Sequence, residues 1–146
     1  MTADARAPVR VRGLVAAAAP ALAALLALAG CAPTPKPRDP RLPPVVPRVG
    51  TVVEGVASWY GPGYHGKRTS GGEVFDQDAL TAAHYDWAFG TRVKVTLLST
   101  GKSVVVRVND RFPRYKGRVL DLSRGAARAI GLVGPGTGRV RLEVIR

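Results

Sequence analysis

Three short polar segments stand apart from a chain otherwise ruled by apolar alternation: 66–73 (GKRTSGGE), 81–84 (TAAH) and 108–111 (VNDR). They bring a carboxylate at Glu73, an imidazole at His84, and a second carboxylate at Asp110 beside the guanidinium of Arg111. Groups of these kinds move protons or steady developing charge when a fold gathers them in one place. Taken singly they have plainer uses. Glu73 can end a Gly-Gly turn, His84 can hold a loop through a backbone carbonyl, and Asp110 with Arg111 can be a surface ion pair worth less than about 1 kcal/mol. Metal chemistry finds no support, because His65, His84 and the single Cys31 form no ligand set of recognised spacing. No cofactor is implied.

The elements that must position these groups are strands. Residues 92–97 (RVKVTL) alternate polar and apolar, 99–102 (STGK) turn, and 103–108 (SVVVRV) return, which predicts a hairpin with Val93, Val95 and Leu97 facing one way and Val104, Val106 and Val108 as the partner row. Val140, Leu142 and Val144 mark a strand near the end, and 53–59, 80–83 and 119–122 are weaker strand candidates. One short helix is expected over 124–130, capped by Ser123 and stopped by Gly131, with Ala126, Ala127 and Ile130 as its buried stripe. The fold class is therefore all-β, a six-stranded barrel with one short helix, and closure removes exposed strand edges.

Ahead of this domain the chain reads as an export device. Arg6, Arg10 and Arg12 precede an apolar, Ala-rich run over 14–29, which ends on Leu28-Ala29-Gly30-Cys31. That ending has the form of a lipobox, so residues 1–31 are expected to be a lipoprotein signal with cleavage before Cys31, lipidation at its sulfur and acylation of the new amine. Residues 32–50 contain Pro at 33, 35, 37, 40, 43, 44 and 47, predicting an extended tether. At about 3.1 Å per residue it would reach roughly 60 Å from a membrane surface. The foldable domain is 51–146. Ala32, rather than Asp, follows the cysteine, so the expected place is the periplasmic face of the outer membrane. The net charge of +12 attracts polyanions of any kind. An exported, lipid-anchored chain is not expected to meet nucleic acid, and a monomer is expected.

Several motifs follow one another in a recognisable order: 55–61 (GVASWYG), 69–73 (TSGGE), 81–84 (TAAH), 89–91 (FGT), 106–111 (VRVNDR) and 121–123 (DLS). In this order they resemble the rare lipoprotein A family, whose fold is a double-psi β-barrel, and the likeness covers nearly everything from Gly55 to Val144. The resemblance implies a septal-ring lytic transglycosylase, which cleaves the bond between N-acetylmuramic acid and N-acetylglucosamine in peptidoglycan glycan strands without water. The product carries a 1,6-anhydromuramoyl end. It further implies Asp110 as acid and base, with Glu73 and His84 orienting the sugar and setting the electrostatics around it.

Sugar rings stack their C–H faces on aromatic side chains, and Trp59, Tyr60, Tyr64, Tyr85 and Trp87 all fall beside the three polar segments. Trp59 lies in a strand and is expected in the core. Tyr64 and Trp87 lie in loops and are expected to line a binding groove, with His65 as a further sugar contact. Arg111, Arg114 and Lys116 are placed to meet lactyl or peptide carboxylates. The sequence departs from the family at Phe112, where members commonly carry Gly, and this is expected to close or reshape one subsite. Many members also carry a C-terminal glycan-binding module that recruits them to the septum. This sequence runs to Arg146 directly after its last expected strand, so septal targeting does not follow from the resemblance. Two other readings use the same barrel: an expansin-like module that binds without cleaving, and a hydrolase using Asp110 with a second carboxylate such as Asp121.

Overall fold

The computed structural model describes residues 43–146 except Lys116, so Cys31, the lipobox and most of the expected tether lie outside the described residues. Among the described residues, strands β1 (Val52–Tyr60), β2 (Thr81–Ala83), β3 (Arg92–Leu97), β4 (Ser103–Asp110), β5 (Arg118–Ser123) and β6 (Thr137–Ile145) close into a barrel in the order β1-β5-β2-β4-β3-β6. The barrel is mixed: β1 runs parallel to β5 and β2 parallel to β4, and the other neighbours are antiparallel. This is the six-stranded double-psi barrel with one helix that the motif order implied.

Alternation builds the core as expected. Val93, Val95 and Leu97 of β3, Val106 and Val108 of β4, and Val140, Leu142 and Val144 of β6 all point inward and are buried. Trp59 packs against this cluster from a partly buried position. Helix α1 (Arg124–Ile130) starts where Ser123 Oγ accepts from the Ala126 N–H at 3.2 Å. It ends where Gly131, at φ 80°, donates back to the carbonyls of Ala127 and Arg128. Ala126, Ala127 and Ile130 seal that side of the barrel.

Two β-bulges aim the polar residues. The β2·β4 register passes from Ala82↔Val108 to Ala83↔Asp110, leaving Asn109 as the extra residue. The β1·β5 register passes from Val56↔Arg118 to Ala57↔Leu120, leaving Val119 as the extra one. Each bulge reverses the parity of the pleat beyond it. Ala83 also pairs with Asp121, so Asp110 and Asp121 flank one alanine from its two neighbouring strands, at the same end of the barrel.

The last residues of the expected tether are held by the domain. The Val45 N–H donates to the Asp86 carbonyl at 2.8 Å, the Ala88 N–H donates to the Val45 carbonyl at 2.7 Å, and the Val45 side chain packs on the core. A proline-rich segment can still form such a pairing wherever one non-proline residue offers both its N–H and its C=O. The folded unit therefore includes residues ahead of Gly50.

Candidate active site

A cleft of about 370 Å³ opens at the end of the barrel where the parallel strands finish, lined by Tyr60, Ala83, Asp110 and Asp121 from the strands and by Tyr64, Arg111, Phe112, Pro113, Tyr115 and Arg118 from the loops and strand ends around them. Asp110 is the last residue of β4. Its Oδ1 accepts from the Ser70 N–H, the Ser70 hydroxyl and the Arg111 N–H, each at 2.8 Å. Its Oδ2 has the Tyr60 hydroxyl at 3.5 Å, a marginal contact. One oxygen is thus saturated and the other has only that marginal contact. Tyr60 is held by Phe75, whose ring stacks on it at 4.5 Å, and burial together with the charge of Asp110 raises its phenol pKa above the usual value.

The second carboxylate, Asp121, is buried and engaged at both oxygens. Ser58 Oγ donates to Oδ1 at 2.5 Å, Arg118 Nε donates to Oδ1 at 2.6 Å, and the Arg118 terminal nitrogen donates to Oδ2. Residues three apart on a regular strand point to opposite faces. The bulge at Val119 is what brings Arg118 and Asp121 to one side.

Arg111 lies over the Phe89 ring at 3.8 Å and donates to the carbonyls of His84 and Asp110, so its guanidinium is fixed at the cleft wall. Burial lowers its pKa from the ordinary value. Tyr64 and Tyr115 stand at the mouth, 58% and 56% exposed, on two different loops. The Phe112 ring is almost buried, edge-on to Tyr85 at 5.9 Å and under the Arg118 guanidinium at 5.3 Å. It forms cleft wall where a glycine would leave a gap.

Glu73, His84, Trp87, Arg114 and His65, all singled out in the sequence, are not among the residues that line this cleft. Glu73 sits outside it, in a bidentate pair with Arg107 at 2.5 and 2.9 Å and with Asn109 Nδ2 at 3.1 Å. Those hydrogen bonds, Arg107's foremost, hold its carboxyl at a pKa of about 2. His84 is buried, its ring stacked on Trp87 at 4.1 Å. Its Nδ1 accepts from the N–H groups of Asp86 and Trp87, which assigns the ring proton to Nε2, and that nitrogen is buried without a partner among the described residues. Burial, then Arg111 and Arg114, depress its pKa to about 3, so the nearby Asp86 carboxylate at 3.4 Å is a contact to a neutral ring rather than an ion pair.

Trp87, expected in the groove, is instead a core residue, only 6% exposed between the His84 ring and the paired Val45 segment. A loop residue carries no strand parity to announce that it turns inward. Arg114 rides on the Tyr85 ring at 4.0 Å and bonds Asp86 at 3.2 Å, beside the cleft. His65 accepts from the Gln77 N–H and steadies that loop. Tyr115 and Arg118 had no motif or periodicity to mark them. Among the described residues, no group of three or more His, Cys, Asp or Glu side chains gathers to hold a metal.

The model of the family described as lytic transglycolase matches residues 52–142, which is the whole barrel up to Leu142 of β6. The chain belongs to the lytic transglycolase family. Its similar relatives include a probable endolytic peptidoglycan transglycosylase RlpA of Synechocystis, 63% identical over 92 residues that make up 63% of this chain and 29% of the relative. An endolytic peptidoglycan transglycosylase RlpA of Campylobacter jejuni is 54% identical over 102 residues, 70% of this chain and 37% of the relative. The chain thus spans about a third of the length of these curated relatives. Among solved structures, an expansin of Clavibacter michiganensis superposes with a TM-score of 0.54 at 25% identity, covering 66% of this chain and 51% of that one. The Streptomyces papain inhibitor shares the fold, with a TM-score of 0.57 at 20% identity, covering 70% of this chain and all of that one. In the lytic transglycolase barrel seen here, the three polar segments meet around Asp110, one of the two carboxylates that line the cleft.

Proposed function

We propose that this protein is an endolytic lytic transglycosylase of peptidoglycan, held at the periplasmic face of the outer membrane by lipid on Cys31, with Asp110 as its acid and base. The observation that carries the reading is the asymmetry of the Asp110 carboxyl group. Three donors fill Oδ1 and leave Oδ2 with only the Tyr60 hydroxyl at 3.5 Å, so Oδ2 is the oxygen free to carry a proton in this cleft-lining group. The names of the similar relatives point the same way.

The reaction balances on this one group. Protonated Asp110 gives its proton to the glycosidic oxygen as the bond from the muramoyl C1 breaks, and positive charge develops at C1. The muramoyl 6-hydroxyl then attacks C1, Asp110 takes the hydroxyl proton, and the 1,6-anhydro ring closes with no water consumed. Asp121, on the far side of Ala83 from Asp110, accepts at both oxygens from Ser58 and Arg118 and helps to fix the cleft lining. Tyr64 and Tyr115 offer ring faces to the strand on either side, and Arg111 offers charge to its carboxylates.

The test is mass spectrometry of purified sacculi treated with the protein and with Asp110→Asn. Release of 1,6-anhydromuropeptides is expected from the first. The amide variant keeps its shape but not its proton and should fall by about a hundredfold to ten-thousandfold. Reducing ends would indicate a hydrolase instead, and binding without any cleavage would indicate an expansin-like module.

A further inference from the structure

The Glu73–Arg107 pair lies outside the cleft, yet every link between it and Asp110 is a short contact. Glu73 grips two residues of β4, Arg107 through both guanidinium nitrogens and Asn109 through its amide. Two residues earlier, the Gly71 N–H donates to the Asn109 carbonyl at 3.1 Å. A Cβ on Gly71 would stand 2.6 Å from that oxygen, so this loop rests on the strand at a distance that glycine alone allows. The next residue back, Ser70, then delivers its N–H and its hydroxyl to Asp110 Oδ1. Within itself the loop is tied by Thr69 N–H to the Glu73 carbonyl, Gly72 N–H to the Thr69 carbonyl, and Arg68 to the Gly72 carbonyl. It is placed to shift as one piece.

We propose that Arg107 and Glu73 form a clamp that seats this loop on β4 so that Ser70 fixes the Asp110 carboxyl group, making Arg107, Glu73 and Ser70 positioning residues rather than sugar contacts. The effect on turnover rests on Asp110 being the acid. The clamp itself does not. The pair is bidentate, which lifts it above an ordinary surface ion pair, and neither residue belongs to the hydrophobic core, so its loss should free the loop and leave the barrel folded.

The experiment uses the full chain and two readouts, steady-state kinetics on soluble, uncrosslinked peptidoglycan strands and amide hydrogen exchange. Arg107→Ala should lower kcat by about tenfold to a hundredfold, the scale of a small misplacement of a catalytic group. KM should stay within about twofold, because no sugar contact is removed. Arg107→Ala with Glu73→Ala should be no worse than either alone, since each single change already opens the clamp. Arg107→Lys, which keeps the charge but not the paired geometry, should recover part of kcat. Exchange at the Ser70 and Gly71 amides should quicken by about tenfold or more in Arg107→Ala while β1 and β6 amides hold. The proposal is overturned if exchange at those two amides is unchanged, or if Arg107→Ala keeps full kcat while Glu73→Gln raises KM, which would put Glu73 on the sugar. If the wild type releases no anhydro product but Arg107→Ala still frees the two amides, the clamp stands and the reading of the reaction falls.

Discussion

The imidazole of His84 lies flat on the indole of Trp87, with 4.1 Å between ring centroids and 12° between planes, and its Nδ1 accepts the N–H of the same Trp87. The pair fastens the β2–β3 loop to the barrel. The His84 N–H donates to the Asp110 carbonyl and the His84 carbonyl accepts from Arg111, so the backbone of His84 reaches the cleft although its ring does not.

This placement makes stability depend on pH with a definite sign. The unfolded chain takes a proton at His84 below its ordinary pKa of 6.5, and the folded chain resists it down to about 3. Stability from the neutral ring is complete above 6.5 and is lost as pH falls through that window, by up to about 1.4 kcal/mol per pH unit. Urea unfolding between about pH 6.5 and 5, above the ordinary carboxylate range, isolates this contribution. The wild type should weaken steadily there, and His84→Gln, which takes up no proton, should show a flatter profile. Equal slopes for the two proteins would mean that the ring is not held neutral.

Tyr64 and Tyr115 line the cleft from separate loops and stay more than half exposed, although Lys67 lies 5.4 Å from the Tyr64 ring centre and Arg118 5.4 Å from that of Tyr115. Each change to Ala is expected to raise KM on soluble glycan strands by about twofold to tenfold, the worth of one ring contact. Neither should move kcat. An unchanged KM in Tyr115→Ala would take that loop out of the binding surface.

Phe112→Gly tests the residue that departs from its family. The nearly buried ring contacts Tyr85 and Arg118, so removing it should cost about 3 kcal/mol or more of unfolding free energy, read from the denaturant midpoint. Product release per folded molecule should rise at a temperature where the variant is still native, because the ring occupies cleft wall. A cost below about 1 kcal/mol, typical of surface changes, would show that the ring is not packed as described.

Cys31→Ser tests the anchor. The variant should leave the membrane fraction and carry no lipid mass on its N-terminal peptide, since stable anchoring needs more than one acyl chain and this is the chain's single cysteine. A wild type whose N-terminal peptide carries no lipid would remove the anchor from the proposal.

What the sequence alone determined was whatever local chemistry dictates. Alternation placed Val93, Val95, Val140 and Leu142 inside, Ser123 and Gly131 bounded the helix to the residue, and the order of short motifs identified the family and pointed to Asp110. What the tertiary structure decided was which side chains share the cleft. Ser58 meets Asp121 across 63 positions of chain because two strands run parallel, and Arg118 joins them because a bulge at Val119 reverses the pleat. Neither event leaves a periodic trace. Glu73 went to the outer face because Arg107, 34 positions away, offers it a bidentate partner there. Trp87 went to the core because the Val45 segment pairs with it and the His84 ring covers its face. Closing a barrel sets distances between residues that are remote in the chain, and periodicity, caps and turns act over only a few residues at a time.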